Sequence, residues 1–391
     1  MQKIPEAIKR IFTALLILSV VLTTFSSAEI ESFQFFTATD VHAAEPGDPV
    51  TIGLTLPEPQ NATVFQPLKV NLDHISEEIP VTFVFADDGN MSTVSRVEQF
   101  IRQDVDGIMI SRIEEKELPV ICGMCETAGV CWGLFLWDIM DDDIRSFCEA
   151  SEYYAGNTYE DEEETGRLLL EKACEKGFRN IALISESEWH TTCRKRETGI
   201  IAAAGEHPEV QILDIVRSLS DKEDARVVTE NLISAYPEMD CIILVGSVVS
   251  GAEEGILEGI RHAEADGRVG LMCFDFTENI VSDFEEGILK GCCGLPQLSC
   301  DPYYLALILI NKIYRTPLED GPVSCCIRGT FVDSPEEAKA LENVITDTQK
   351  IYYSGQELQQ FFRWENPDLD GQELQRLSDE LQEVLSSQGG M

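Results

Sequence analysis

From Val50 to about residue 331, short apolar runs of strand length alternate with stretches whose apolar residues recur at helical spacing. That alternation narrows the fold sharply, because a helix between successive strands makes them parallel and covers the faces of their sheet. Residues 50–56, 81–85, 107–110 and 134–137 read as strands, separated by helices over about 64–76, 92–103 and 118–128, the last opened by Pro119. A second series begins after residue 155. Thr158 and Asp161 form a capping-box pattern for a helix reaching Lys176. Strands follow at 180–184, 210–216, 241–245 and 269–273, with helices opening at Thr191, Asp221, Val248 and Thr277. The same β/α repeat on either side of residue 155 predicts two similar α/β lobes. From about residue 332 a polar, helix-favouring tail runs to Met391, partly disordered at its end and carrying the cluster Phe361, Phe362 and Trp364.

Charge excludes one class of partner. With 70 acidic against 29 basic residues the net charge is -41, the wrong sign for a phosphate backbone, so nucleic acid is not expected. Acidic runs such as residues 160–164 suit the first turn of a helix, where the dipole is positive.

Lys3, Lys9 and Arg10 precede a charge-free apolar run over residues 11–25, and Ser26-Ser27-Ala28 follows. This is the layout of an export signal, cleaved after Ala28 or as late as Ala43, or else kept as a membrane anchor. The location expected is therefore extracytoplasmic. Thirteen cysteines are many for such a compartment, and the odd number leaves at least one unpaired. Most sit in apolar runs, where they behave as small buried hydrophobes. Cys122-x-x-Cys125 with Cys131 lacks a second ligand pair at matching spacing, so neither a metal nor a cofactor is expected.

Five segments occur in a telling order: Ile52-Gly53-Leu54 with Asn61 and Phe65, Val105-Asp106-Gly107-Ile108-Met109-Ile110, Arg194-Lys195-Arg196-Glu197-Thr198-Gly199, Phe274-Asp275, and residues 287–297 ending in Gln297. In that order they resemble the type I periplasmic sugar-binding proteins, the ribose- and galactose-binding family whose fold also forms the effector domain of lactose-repressor-type regulators. The resemblance implies two Rossmann-like lobes with parallel sheets, joined by hinge crossings near Tyr154, Gln297 and Cys325. Lobe 1 would be 50–155 with 298–322, and lobe 2 would be 156–297 with 323–331. A ligand would lie in a cleft at the carboxyl ends of the strands. Its contacts would be Asn61, Phe65, Trp137, Asp138, Arg194, Asp275 and Gln297.

These residue types suit a sugar on chemical grounds too. Carboxylates accept pairs of hydroxyl protons, a guanidinium offers five donors, an amide offers both polarities, and aromatic faces cover apolar C–H groups. Each also has a plainer use. Asp138 and Asp275 could cap the turns that follow them, Arg194 could pair with Glu186 or Glu188 at the surface, and Trp132 and Trp189 could be core or lid residues. The chain also departs from the family. Ala62-Thr63-Val64-Phe65 replaces the usual Asn-Pro-Phe-Phe, Val245-Gly246-Ser247 replaces an Asn-Asp pair, and Ile139 stands where an arginine is common. Fewer polar contacts remain, which admits a larger, more apolar or modified ligand.

The function expected is a solute-binding component that passes a carbohydrate-like molecule to an ABC importer; the alternative is a sensory protein that presents its bound form to a membrane receptor or kinase. A repressor is disfavoured by the export layout and by the lack of a basic helix-turn-helix. Enzyme motifs such as G-x-x-x-x-G-K-[ST], H-E-x-x-H and G-x-S-x-G are absent, and no catalytic residues are expected.

Overall fold

The structure, a computed structural model, describes residues 44–57, 66–86, 91–111, 113–186, 191–217, 221–246, 251–277 and 279–387. The export layout, Asn61, Phe65, Trp189, Val248 and residues 388–391 lie outside the described residues. The chain divides into two compact units. Unit 1 holds residues up to Tyr159, Ser299–Cys325 and Ile351–Gln375; unit 2 holds Glu160–Leu298, Cys326–Lys350 and the rest from Arg376.

In unit 1 the order is β1 (Val50–Pro57), α1 (Gln66–Glu78), β2 (Val81–Ala86), α2 (Thr93–Arg102), β3 (Gly107–Ile110), α3 (Leu118–Ala128), β4 (Cys131–Leu134), α4 (Asp142–Glu149) and β5 (Tyr154–Tyr159). Then α10 (Cys300–Ile313) and β11 (Val323–Cys326) return to it. The six strands run in the order β11-β5-β4-β3-β1-β2. β3 is buried at every position, as expected of a parallel strand covered on both faces. One cover is α2, α3 and α4, whose core includes Phe100, Ile121 and Cys148. On β3, β4, β5 and α1 also packs α10. Apart from Lys312 every residue of α10 is buried, so this helix is apolar almost all round.

Unit 2 contains α5 (Glu162–Glu175), β6 (Asn180–Ile184), α6 (Thr191–Glu206), β7 (Gln211–Val216), α7 (Lys222–Ala235), β8 (Cys241–Leu244), α8 (Ala252–His262), β9 (Gly270–Phe274), α9 (Ile280–Glu285), β10 (Leu289–Gly294) and β12 (Thr330–Val332). Its sheet runs β12-β10-β9-β8-β6-β7, with β12 antiparallel to β10. Strand periodicity builds two cores here, since alternate side chains point to opposite faces. Ala182, Ile184, Ile242, Leu244, Leu271 and Cys273 enter one; Ile181, Leu183, Cys241, Ile243, Met272 and Phe274 enter the other.

Two local expectations shift. The strand expected over 134–137 lies at 131–134, because Leu136 takes a left-handed φ of 53° and cannot continue the ladder. Asp161 alone caps α5 by accepting from Glu164 N–H, while Thr158 belongs to β5.

The tail is α11 (Pro335–Thr346), α12 (Gly355–Leu358) and α13 (Gly371–Ser387). Residues 351–375 pack into unit 1, with Phe361 and Phe362 buried and Trp364 stacked on Phe362 at 4.6 Å. No helix among the described residues is long and apolar enough to cross a membrane.

None of the thirteen cysteines is in a disulfide; eleven are buried, and Cys131 and Cys326 are half-buried. Burial pushes the thiol of Cys131 up to about 12 and that of Cys326 up to about 11, which suppresses the reactive thiolate. Ellman titration at pH 8 is expected to label at most these two, slowly, in the native protein and all thirteen in guanidinium. Rapid native labelling of more than two, or intact disulfides by mass spectrometry, would contradict this.

Candidate functional site

The polar centre of unit 2 starts from two glycines. A Cβ on Gly199 of α6 would lie 1.8 Å from the Glu163 carbonyl oxygen, and one on Gly166 of α5 would lie 2.2 Å from that of Arg196. Their absence lets the two helix backbones approach, and Arg196 is thereby brought against Glu162. Arg196 is only 4% exposed. Its Nε and Nη2 donate to the two oxygens of Glu162, the latter at 3.3 Å. Nη1 and Nη2 reach the Asp275 oxygens at 3.5 and 3.4 Å, and the guanidinium carbon lies 4.4 Å from the centre of the Phe274 ring.

Burial alone would pull the guanidinium down, but the Glu162 and Asp275 carboxylates outweigh it and hold Arg196 well above its ordinary range. On Glu162 burial dominates and pushes the carboxyl up against the pull of Arg196. Two carboxylates face one cation, so hydrogen-bond acceptors are in surplus. Asp275 sits just past β9 with a left-handed φ of 65°, a strained state that Asp tolerates better than most residues. Its N–H donates to the Cys293 carbonyl at 2.8 Å and its own carbonyl accepts from the Cys292 thiol. The side chain remains 30% exposed, the most open group of the three.

Arg194, the arginine expected here, is exposed on α6. Two residues along a helix are about 200° apart, so only one of Arg194 and Arg196 can face α5. The signal that identifies it is Gly199, three positions beyond Arg196 and on the same face. Gln297 is also used differently from expectation. It is buried, and its Nε2 donates to the carbonyls of Val344 at 2.8 Å and Asp347 at 3.0 Å, at the end of α11. Both amide hydrogens therefore cap the last carbonyls of a tail helix, which would otherwise lack partners.

In unit 1, Asp138 borders a cleft of 320 Å³ lined also by Arg145, Glu149, Asn157, Tyr159 and Ser324. Trp137 is half-buried against the unit 1 core, and Trp132 is a core residue 4.6 Å from the Tyr154 ring. Arg145 was not singled out in the sequence. Asp141 caps α4, which puts Arg145 one turn in, where long side chains point back toward the helix start. Its guanidinium donates to the Ile139 carbonyl and stands 3.9 Å from Asp138 Oδ1. The helix that follows thus sets a guanidinium beside Asp138, although position 139 itself is an isoleucine. Among the described residues no group of three or more His, Cys, Asp or Glu could hold a metal ion.

Near the unit 2 centre, Glu253 is buried at the start of α8 with Oε1 3.8 Å from the Cys273 thiol. Burial, with the nearby Asp283 carboxylate, raises its carboxyl to about 8. The folded state then holds a proton that the unfolded chain releases above about 4.3. Stability from this group is full below that value and is lost as pH rises through about 8. Glu253→Gln, neutral throughout, should match the parent at pH 4 and exceed it by on the order of 2–5 kcal/mol at pH 8, read from urea unfolding. An equal difference at both pH values would show that Glu253 ionises freely.

The sequence profile described as periplasmic binding protein domain matches residues 52–296, more than half of the chain. The chain belongs to that family. No curated protein matches the sequence. Among solved structures, an ABC transporter solute-binding protein from Bacillus halodurans with bound myo-inositol is 17% identical, with a TM-score of 0.62 over 76% of this chain and 99% of that one. One from Actinobacillus succinogenes with bound D-allose is 17% identical, with a TM-score of 0.60 over 75% and 99%. A galactofuranose-binding protein is 15% identical, with a TM-score of 0.59 over 77% and 100%. At these identities what is shared is the two-unit α/β fold of this family of binding proteins. The profile match stops one residue before Gln297, so the tail lies wholly beyond it.

Proposed function

We propose that this protein is an extracytoplasmic solute-binding protein that captures a sugar or sugar-like molecule and delivers it to an ABC importer. The observation that carries this reading is the grouping of Asp275, Arg196 and Phe274. A partly open carboxylate can accept two hydroxyl protons, and a neighbouring cation, itself seated on the buried Phe274 ring, holds it in place. Within unit 1, Asp138 and Arg145 pair a carboxylate with a guanidinium in the same way, at the edge of that unit's own cleft. Solute-binding proteins of the same fold hold myo-inositol, D-allose and D-arabinose, and these polyols carry the vicinal hydroxyls that such groups recognise. The Arg196 donors are largely engaged by Glu162 and Asp275, so a ligand with several hydroxyl donors suits the acceptor surplus better than an acidic one.

A melting-temperature screen against those three polyols, other pentoses, hexoses and amino sugars tests the reading. A ligand at a hundred times its Kd stabilises by about 2.7 kcal/mol, and Asp275→Ala should weaken its binding about tenfold or more. A screen in which no polyol moves the transition, or an unchanged Kd in Asp275→Ala, counts against it. Stimulation of a reconstituted ABC permease by the loaded protein tests the importer role.

A further inference from the structure

The loop between β4 and α4 is gripped at successive backbone positions by side chains and strands of unit 1. Leu136 N–H donates to Asp301 Oδ1 at 2.7 Å, and Trp137 N–H donates to the Thr158 carbonyl at 3.2 Å. The Trp137 carbonyl accepts from Asn157 Nδ2 at 3.0 Å, and the Ile139 carbonyl accepts from Arg145. Asp138 is the residue presented in the middle of these restraints. Leu136, at φ 53°, is in the left-handed region, a conformation that persists for an ordinary L-residue only when its surroundings over-determine it.

Of the side chains among those restraints, Asp301 is the most deeply buried. It is 0% exposed, in the first turn of α10, where a carboxylate meets the positive end of the helix. Its Oδ1 accepts from Leu136 N–H and also from Thr158 Oγ1, the latter at 2.6 Å. One buried oxygen therefore joins the loop after β4 to the end of β5. Full burial keeps Asp301 itself from any solute, so whatever it does for binding passes through Leu136.

We infer that Asp301 is a positioning residue: it holds Leu136 in the left-handed conformation and so fixes how Asp138, two residues on, is presented at the unit 1 cleft. The inference rests on the reading that Asp138 contacts the ligand, but its conformational half is measurable without one.

Hydrogen exchange by mass spectrometry on the full chain supplies that measurement. Asp301→Ala is expected to speed exchange of the amides at 136 and 137 by about tenfold or more, the loss a buried bond to a charged acceptor carries, while amides at 131–134 keep their protection. Asp301→Asn retains an acceptor oxygen and should restore most of the protection; if the alanine variant does not fold, Asp301→Ser, too short to reach Leu136, replaces it. Unchanged protection at 136 and 137, or a loss spread evenly over unit 1, overturns the inference. A second arm uses whichever of myo-inositol, D-allose and D-arabinose gives the largest melting shift, titrated into Asp138→Ala, Asp301→Ala and the double variant. Weaker binding in both single variants with no further loss in the double supports positioning. Weaker binding in Asp138→Ala alone overturns it. An unchanged affinity in Asp138→Ala refutes the ligand role of Asp138 instead, and the exchange result then decides the conformational claim by itself.

Discussion

Arg196→Ala is expected to destabilise unit 2 by about 3–5 kcal/mol, the usual cost of removing one partner from a buried ion pair. Glu162 is the reason. Its side chain is 13% exposed and its carboxylate takes two bonds from Arg196. Without the guanidinium that charge stays buried and uncompensated, and Asp275 loses the cation that faces it. The Phe274 ring, 4.4 Å away, would lose its cover as well. Arg196→Lys should not rescue the site, because a point charge on a flexible stem cannot serve both carboxylates in the same geometry. The double variant Arg196→Met/Glu162→Gln separates stability from binding: removing both charges should recover most of the stability, while any ligand found by the melting screen should bind more weakly than to the parent. Urea midpoints and titration calorimetry read the two effects. A loss below about 1 kcal/mol in Arg196→Ala would place the pair in the range of exposed ion pairs and undo the argument.

Deleting residues 351–391 is expected to leave an aggregating or non-cooperatively unfolding chain. The segment 351–375 covers the almost wholly buried helix of unit 1, α10, where Tyr303 and Tyr304 meet Tyr352 and Tyr353. It also satisfies two buried amides. Asn71 Oδ1 accepts from Tyr352 N–H at 2.8 Å, and Asn311 donates to the Phe361 carbonyl and accepts from Arg363 N–H, both at 2.8 Å. Each amide left unpaired costs about 1–3 kcal/mol. Burial of Tyr352, Leu358, Phe361 and Phe362, worth about 1.5–3 kcal/mol per large apolar side chain, would be lost at the same time. Point variants grade the effect, with Phe361→Ala expected to cost about 3–5 kcal/mol and Asn311→Ala about 1–3 kcal/mol. Circular dichroism melting and light scattering check both. A soluble truncated protein melting within 2–3 °C of the parent, a shift worth only about 1 kcal/mol, would show the tail to be dispensable. The outcome matters because the tail lies outside the family match, yet its contacts are those of a core element.

Local pattern determined much of this protein. The switch between strand and helix periodicity is written within a few residues, and it placed β6 at 180–184 and α3 at 118–128 without any long-range information. The ends of strands are also local, so Asp275 could be located from Phe274-Asp275 alone. What sequence could not decide is which groups meet across large separations. Arg196 rather than Arg194 reaches Glu162 and Asp275 because α5 packs on one face of α6, through glycines at 166 and 199. Gln297 looks like a ligand contact in sequence, but it is engaged by tail carbonyls 47 and 50 residues away. Asp301 meets Leu136 and Thr158 across 165 and 143 positions. Such pairings depend on how whole elements dock, since a buried polar group bonds whichever partner the packing brings within reach; the sequence names the elements, and the tertiary structure chooses the partners.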